Sequence, residues 1–215
     1  TAGAVGVGAM GASEESEAGA LSKVVNALPM DKASRMARAR EMGFDVDQTL
    51  YHGTNKDFDE FIPSDSGVFG PGVYTTKKAD QAAKYGDTIK EVNVKSQKPI
   101  SKSPFSGDEA KQISDKLGGF LVDDYKTPYE NWVNIKNAFG ADKATEAFKS
   151  AGFDSLEHKS YVIPFDSKNI RSVNAAFDPS KKDSSNLLAS AAPATVGAGL
   201  LAGGSNKAEA STMDR

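Results

Sequence analysis

The chain predicts an α+β domain, and three observations lead there. Strand-like runs stand at both ends of the central region, "QTLYHG" and "TIKEVNVK" early, "FDSLEH" and "SYVIPFD" late. Three helical patterns lie between them: "DEAKQISDKLG", "TPYENWVNIKNAFG" and "DKATEAFKSAGF". Strands, then helices, then strands is an order that segregates the two element types, whereas a parallel sheet would alternate them. No repeat of 20–50 residues is visible, so the segments build one core.

Each element carries its own signal. In "MDKASRMARAREMGF" Asp31 is placed to cap a helix, Ala, Met and Arg recur at helical spacing, and Gly43 marks the stop. "QTLYHG" reads as a short strand closed by Gly53. "GVYTTKKADQAAKYG" turns from an aromatic, β-prone start into an Ala/Lys/Gln helix that Thr75 or Thr76 would cap and Gly86 would end. "TIKEVNVK" alternates, with Ile89, Val92 and Val94 expected inward. Thr127 followed by Pro128 opens the middle helix, in which Trp132 is expected to anchor the core. Pro164 inside the late strand suggests an edge or a bulge. "SKNIRSVNAAFDP" reads as a last turn and short strand ending at Pro179.

Composition bounds the function. The 215 residues carry 26% charged and 39% hydrophobic side chains, as an ordinary globular domain does. A net charge of -3 offers no basic footprint for nucleic acid. Absence of cysteine excludes disulfides, thiolate metal sites and a thiol nucleophile. Only two histidines are present, so a metal would have to lean on carboxylates, and no metal is expected. Residues 1–25 are Ala/Gly/Ser-rich and read as a flexible linker, 26–180 as the domain, and 181–215 as a flexible small-residue tail. The tail's apolar part is too short and too broken by glycine and Pro193 to span a membrane. The missing start methionine suggests a piece of a longer chain.

The chemistry concentrates in His52-Gly53-Thr54, then Phe69-Gly70-Pro71-Gly72-Val73-Tyr74, then Tyr85 eleven residues beyond Tyr74. This pattern resembles the NAD-binding half of ADP-ribosyltransferases of the poly(ADP-ribose) polymerase and diphtheria-toxin type. A broader similarity, "REMGFDVDQTLYHGT" with "FDEF" in front and "AGFDSL" with "YVIPFDSKNIRSVNAAFDP" behind, is to the ADP-ribosyltransferase domains of phage and conjugative-element polyvalent proteins. The resemblance implies two packed, antiparallel-rich sheets with flanking helices and NAD, as substrate, in the cleft between them.

By that resemblance His52 would hydrogen-bond a ribose hydroxyl, and the Gly53 backbone would grip the nicotinamide carboxamide. Tyr74 and Tyr85 would sandwich the ring, and Thr54 and Gly72 would complete the cofactor-binding set. The family's late glutamate falls on Ser160 or Tyr161, depending on which end of the strand is aligned, and neither is an acid. Glu157 is the closest acid upstream and becomes the expected third catalytic residue beside His52 and Tyr74. Ala82 stands where relatives often carry a serine, and His158 reads as a turn residue. The implied activity is transfer of one ADP-ribose to a macromolecular acceptor, expected to be a protein of a bacterial host whose cytoplasm the domain reaches with phage or plasmid DNA. A catalytically silent binding module and an NAD glycohydrolase share the same pattern.

Overall fold

The computed structural model describes residues 28–65, 67–101, 103–188 and 207–209. The expected linker 1–25, and the tail from 189 apart from 207–209, lie outside them. Helix α1 (Lys32–Glu41) begins where Asp31 accepts the Ser34 N–H at 2.9 Å, and Gly43 follows it with φ +85°. Strands β1 (Asp45–Thr54), β2 (Glu60–Ile62) and β3 (Thr75–Thr76) come next, then the single turn α2 (Ala79–Ala82), β4 (Thr88–Val94) and β5 (Pro99–Ile100). Three helices follow: α3 (Gly107–Lys116), α4 (Pro128–Phe139) and α5 (Ala141–Ser150). Strands β6 (Ser155–His158), β7 (Tyr161–Pro164) and β8 (Ile170–Ser172) close the body, and β9 (Lys207–Glu209) pairs in parallel with β2.

Helices α3 and α4 both start on a capping box, Ser106 with Glu109 and Thr127 with Glu130, in which side chain and backbone satisfy each other's free N–H groups. The helices pack on one face of the sheet, where Trp132, Ile135 and Phe148 meet Leu156, Ile163 and Tyr74. Trp132 is 1% exposed and anchors that layer. The opposite face buries Leu50, Val73, Val92, Val162 and Ile170 under Phe58, Phe61 and Leu187. A third, small cluster places Ala39 of α1 and Phe44 against Phe177.

Two packed sheets were expected, and the structure corrects this. Seven strands form one sheet in the order β5-β6-β7-β3-β1-β4-β8, with β2 and β9 as a separate pair. The reason is β3. Its two residues pair on both sides, Thr75 with Val162 and Thr76 with both Tyr161 and Tyr51, so they join what would otherwise be two sheets.

That pairing also explains two local departures from expectation. Thr75 and Thr76 are strand residues, so Lys78 is the N-cap of α2 and supplies no side-chain cap. Pro164 is the last residue of an interior strand, where its carbonyl accepts the Val73 N–H. Ile89 is opposite Gly53 and only half-buried, because it has the parity opposite to Val92 and Val94.

The packed body runs past residue 180. The Ser172 N–H donates to the Leu187 carbonyl, the Ala176 N–H to that of Leu188, and Leu187 is 6% exposed. This segment covers the outer edge of β8, an edge that would otherwise be open to pairing.

Because Thr75 is fully buried and its hydroxyl donates to the Val162 carbonyl, Thr75→Val should keep the shape and lose one hydrogen bond at the joint of the sheet. A loss of about 1 kcal/mol in denaturant unfolding is expected.

Candidate active site

Strand β1 pairs with β4 continuously from Leu50 to Thr54, but with β3 only at Tyr51 and Thr76. Beyond that point β1 and β3 no longer pair, and His52 and Gly53, both buried, stand at this break in the ladder, the candidate crevice. The imidazole of His52 spans the gap, with Nδ1 2.8 Å from the Tyr74 carbonyl oxygen. A carbonyl only accepts, so Nδ1 carries the proton and Nε2 of the neutral ring is an acceptor.

Nε2 is buried and has no hydrogen-bond partner. Two phenyl edges enclose the ring, Phe61 at 4.9 Å and Phe58 at 6.1 Å between centroids, both near perpendicular. Burial lowers the pKa of His52 to about 4, and the nearby Lys90 ammonium acts in the same direction. The ring is therefore neutral at pH 7.

Alternation along β1 sends Tyr51 and Gly53 to the other face of the sheet, under α2. A Cβ on Gly53 would stand 1.8 Å from the Ala82 carbonyl oxygen, and one on Gly86 would stand 2.2 Å from the Thr54 backbone. Gly86 thus serves close packing of α2 on β1 and does more than end a helix. Tyr85 follows α2 and is half-buried against the helix-side core.

The other expected residues are placed differently. Tyr74 is fully buried on the helix side, where its hydroxyl donates to the Gly70 carbonyl at 2.7 Å and accepts the Phe69 N–H at 3.1 Å. Its ring belongs to the core beneath the crevice. Gly72 makes room for β7, since a Cβ there would meet Ile163 Cγ2 at 2.5 Å. The hydroxyl of Thr54 closes a local turn by accepting the Lys56 N–H at 3.0 Å.

Glu157 does not join His52. Register across the sheet gives the row Glu157, Val162, Thr75, and continuing it reaches His52. Three strand spacings, about 14 Å, separate the two residues, with buried side chains between them. Glu157 instead accepts a hydrogen bond from Ser96 at 3.3 Å.

Tertiary structure adds residues that sequence reasoning missed. On the Gly53 face, register aligns His158, Tyr161, Thr76, Tyr51 and Glu91 across five strands. His158 is a strand residue, stacked on Tyr129 at 4.4 Å and tilted against Phe69 at 5.4 Å, and its period-two spacing from Leu156 was the available signal. Lys159, at φ +54°, makes the tight β6-β7 turn that delivers Ser160 to α2. There Gln81 Oε1 accepts from the hydroxyls of Ser160, at 2.6 Å, and Thr76, at 2.8 Å.

A family model described as the ADP-ribosyltransferase in polyvalent proteins matches residues 30–179, which contain His52, Gly53, Tyr74, Gln81, Tyr85 and Ser160. The chain belongs to this family. No curated protein and no solved structure matches it. As an ADP-ribosyltransferase domain, it has a mixed α/β body, and its His-Gly-Thr segment ends strand β1. Among the described residues no group of His, Cys, Asp and Glu side chains is arranged to hold a metal ion, and no helix is long and apolar enough to cross a membrane.

Two measurements check this geometry. As pH falls from 6.5 toward 4, the unfolded chain takes up a proton that folded His52 refuses. His52 should therefore contribute stability above pH 6.5 that is lost on acidification, about 3 kcal/mol in full. Denaturant unfolding at pH 7 and pH 4 should show that difference between the wild type and His52→Asn. Gly53→Ala should push α2 off β1 and lower unfolding stability by about 2 kcal/mol in the same measurement.

Proposed function

We propose that this domain breaks the bond between nicotinamide and ribose in NAD and transfers a single ADP-ribose to a macromolecular acceptor, a protein of a bacterial host. Membership of the ADP-ribosyltransferase family is the observation that carries the reading. In the reaction the electron pair of the breaking C–N bond leaves with the neutral nicotinamide, the ribose carbon becomes oxocarbenium-like, and the acceptor's nucleophilic atom attacks it and gives up a proton. Such a step gains most from holding the sugar still and gripping the departing ring.

The crevice offers groups for both tasks. The unpartnered, unprotonated Nε2 of His52 is suited to accept a ribose hydroxyl once Phe58 or Phe61 moves aside. The Gly53 backbone lies just past the end of the β1–β3 ladder, and in this reading Tyr85, which follows α2, supplies an aromatic surface. Tyr74 contributes by fixing the floor and by lending its carbonyl to His52.

A second reading is favoured by one observation. Ser160 or Tyr161, depending on which end of the strand is aligned, stands where the resemblance expects a glutamate, neither is an acid, and Glu157 is remote. A domain that binds NAD without transferring ADP-ribose fits that charge-free wall, and an NAD glycohydrolase differs only in using water as acceptor.

Incubation of the domain with labelled NAD and bacterial lysate, following nicotinamide release and label retained on protein, separates these readings. We expect transfer that His52→Ala reduces at least a hundredfold and Glu157→Gln changes less than twofold. NAD binding without nicotinamide release would establish the silent module, and release without retained label the glycohydrolase. Absence of any NAD binding would overturn the assignment.

A further inference from the structure

We propose that residues 182–188 form a strap that closes the candidate site, holding Phe58 and Phe61 over His52 so that the imidazole is reached only when the strap lets go. That His52 serves the reaction rests on the NAD reading above; the strap's hold on it does not. These residues follow the family match, which ends at 179. They bind the body on two sides at once. Toward the sheet, the Arg171 guanidinium donates to the Ser184 carbonyl, the Ser172 N–H to that of Leu187 and the Ala176 N–H to that of Leu188. Toward β2, the Leu187 N–H donates to the Asp59 carbonyl at 2.7 Å, the Ser185 hydroxyl donates to the Glu60 carboxylate, and Asn186 stands opposite Glu60 in an antiparallel bridge. The strap thus ties stretch 57–62, which carries both phenyl rings, to β8.

Packing carries that tie through to the histidine. Leu187, 6% exposed, belongs to the same apolar cluster as Phe58 and Phe61, whose rings meet edge to face at 4.8 Å, and both rings stand near perpendicular to the imidazole. Behind them Nε2 is buried and unpartnered, a cost that water or a ligand would remove once the rings swing out. Room for that swing exists, since a cavity of about 480 Å³ is lined by Phe58, Lys90, Asn174, Leu187 and Leu188. The strap is also held lightly. Leu187 is the one fully buried residue in 182–188, and a segment so sparsely packed opens at a fraction of the cost of unfolding the core.

Diethyl pyrocarbonate, which carbethoxylates an unprotonated imidazole nitrogen, reads access to Nε2 in the full chain with no NAD present. Peptide mass spectrometry separates His52 from His158, the other histidine, which lies on the opposite face of the sheet and serves as reference. Glu60→Cys combined with Asn186→Cys locks the strap. The two positions are a non-hydrogen-bonded antiparallel pair, which sets their Cα atoms about 4.5 Å apart, within disulfide reach, and the chain has no other cysteine. We expect His52 to react at least about tenfold more slowly in the oxidised than in the reduced double variant, and roughly tenfold faster in Leu187→Ala than in the wild type, with His158 changing less than about twofold in both comparisons. Equal His52 rates in the oxidised and reduced forms, or a His52 rate unmoved by Leu187→Ala, would overturn the inference, because the rings would then move without the strap. A rise at both histidines in Leu187→Ala would report loss of the fold in that variant, and the locked pair then decides alone. None of these outcomes touches the NAD reading, which stands or falls on NAD binding.

Discussion

The molecule is organised around the parting of β1 from β3, and one side chain holds that parting at a set width. Where the ladder stops after Tyr51, the Nδ1–H of His52 donates to the backbone carbonyl of Tyr74 at 2.8 Å. The His52 ring takes the place of the missing strand N–H. This keeps the two strands apart without leaving the carbonyl unsatisfied, at the cost of placing a neutral imidazole with one unpartnered nitrogen among phenyl rings.

Close approach of backbones builds the rest of the crevice. α2 is a single turn, too short to be stable alone, and it is held by what it touches. Its Ala82 carbonyl fills the space a side chain on Gly53 would need, and the chain just beyond it presses Gly86 on Thr54. Gln81 ties the same turn to β3 and to the start of β7 through two hydroxyls. The two-residue strand β3 thus meets β1, β7 and the α2 turn at once.

Much of the local structure was legible in the sequence because its causes are local. Asp31, Thr127 with Glu130, and Pro128 mark helix starts through bonds within a few residues, and each helix begins where they say. Trp132 belongs to the core for reasons of area alone. Thr75 and Thr76 misled because threonine both caps helices and favours strands, and only the presence of β1 and β7 on either side decides between the two. Pro164 misled for a similar reason: at the end of a strand its lack of an N–H costs nothing, wherever that strand lies in the sheet.

The sequence by itself determined the family and the order of strands and helices. His52 and Gly53 sit next to each other, and the chemistry their neighbourhood requires is written in consecutive positions. Tertiary structure alone decided which distant residues face them. Glu157 and His52 share a face yet stand three strands apart, Tyr74 turns into the core, and Gln81, Thr76 and Ser160 converge from three elements. The physical reason is register: alternation settles which face a side chain takes, but its neighbours across the sheet depend on which strands pair and where, and that is set by the packing of the whole core.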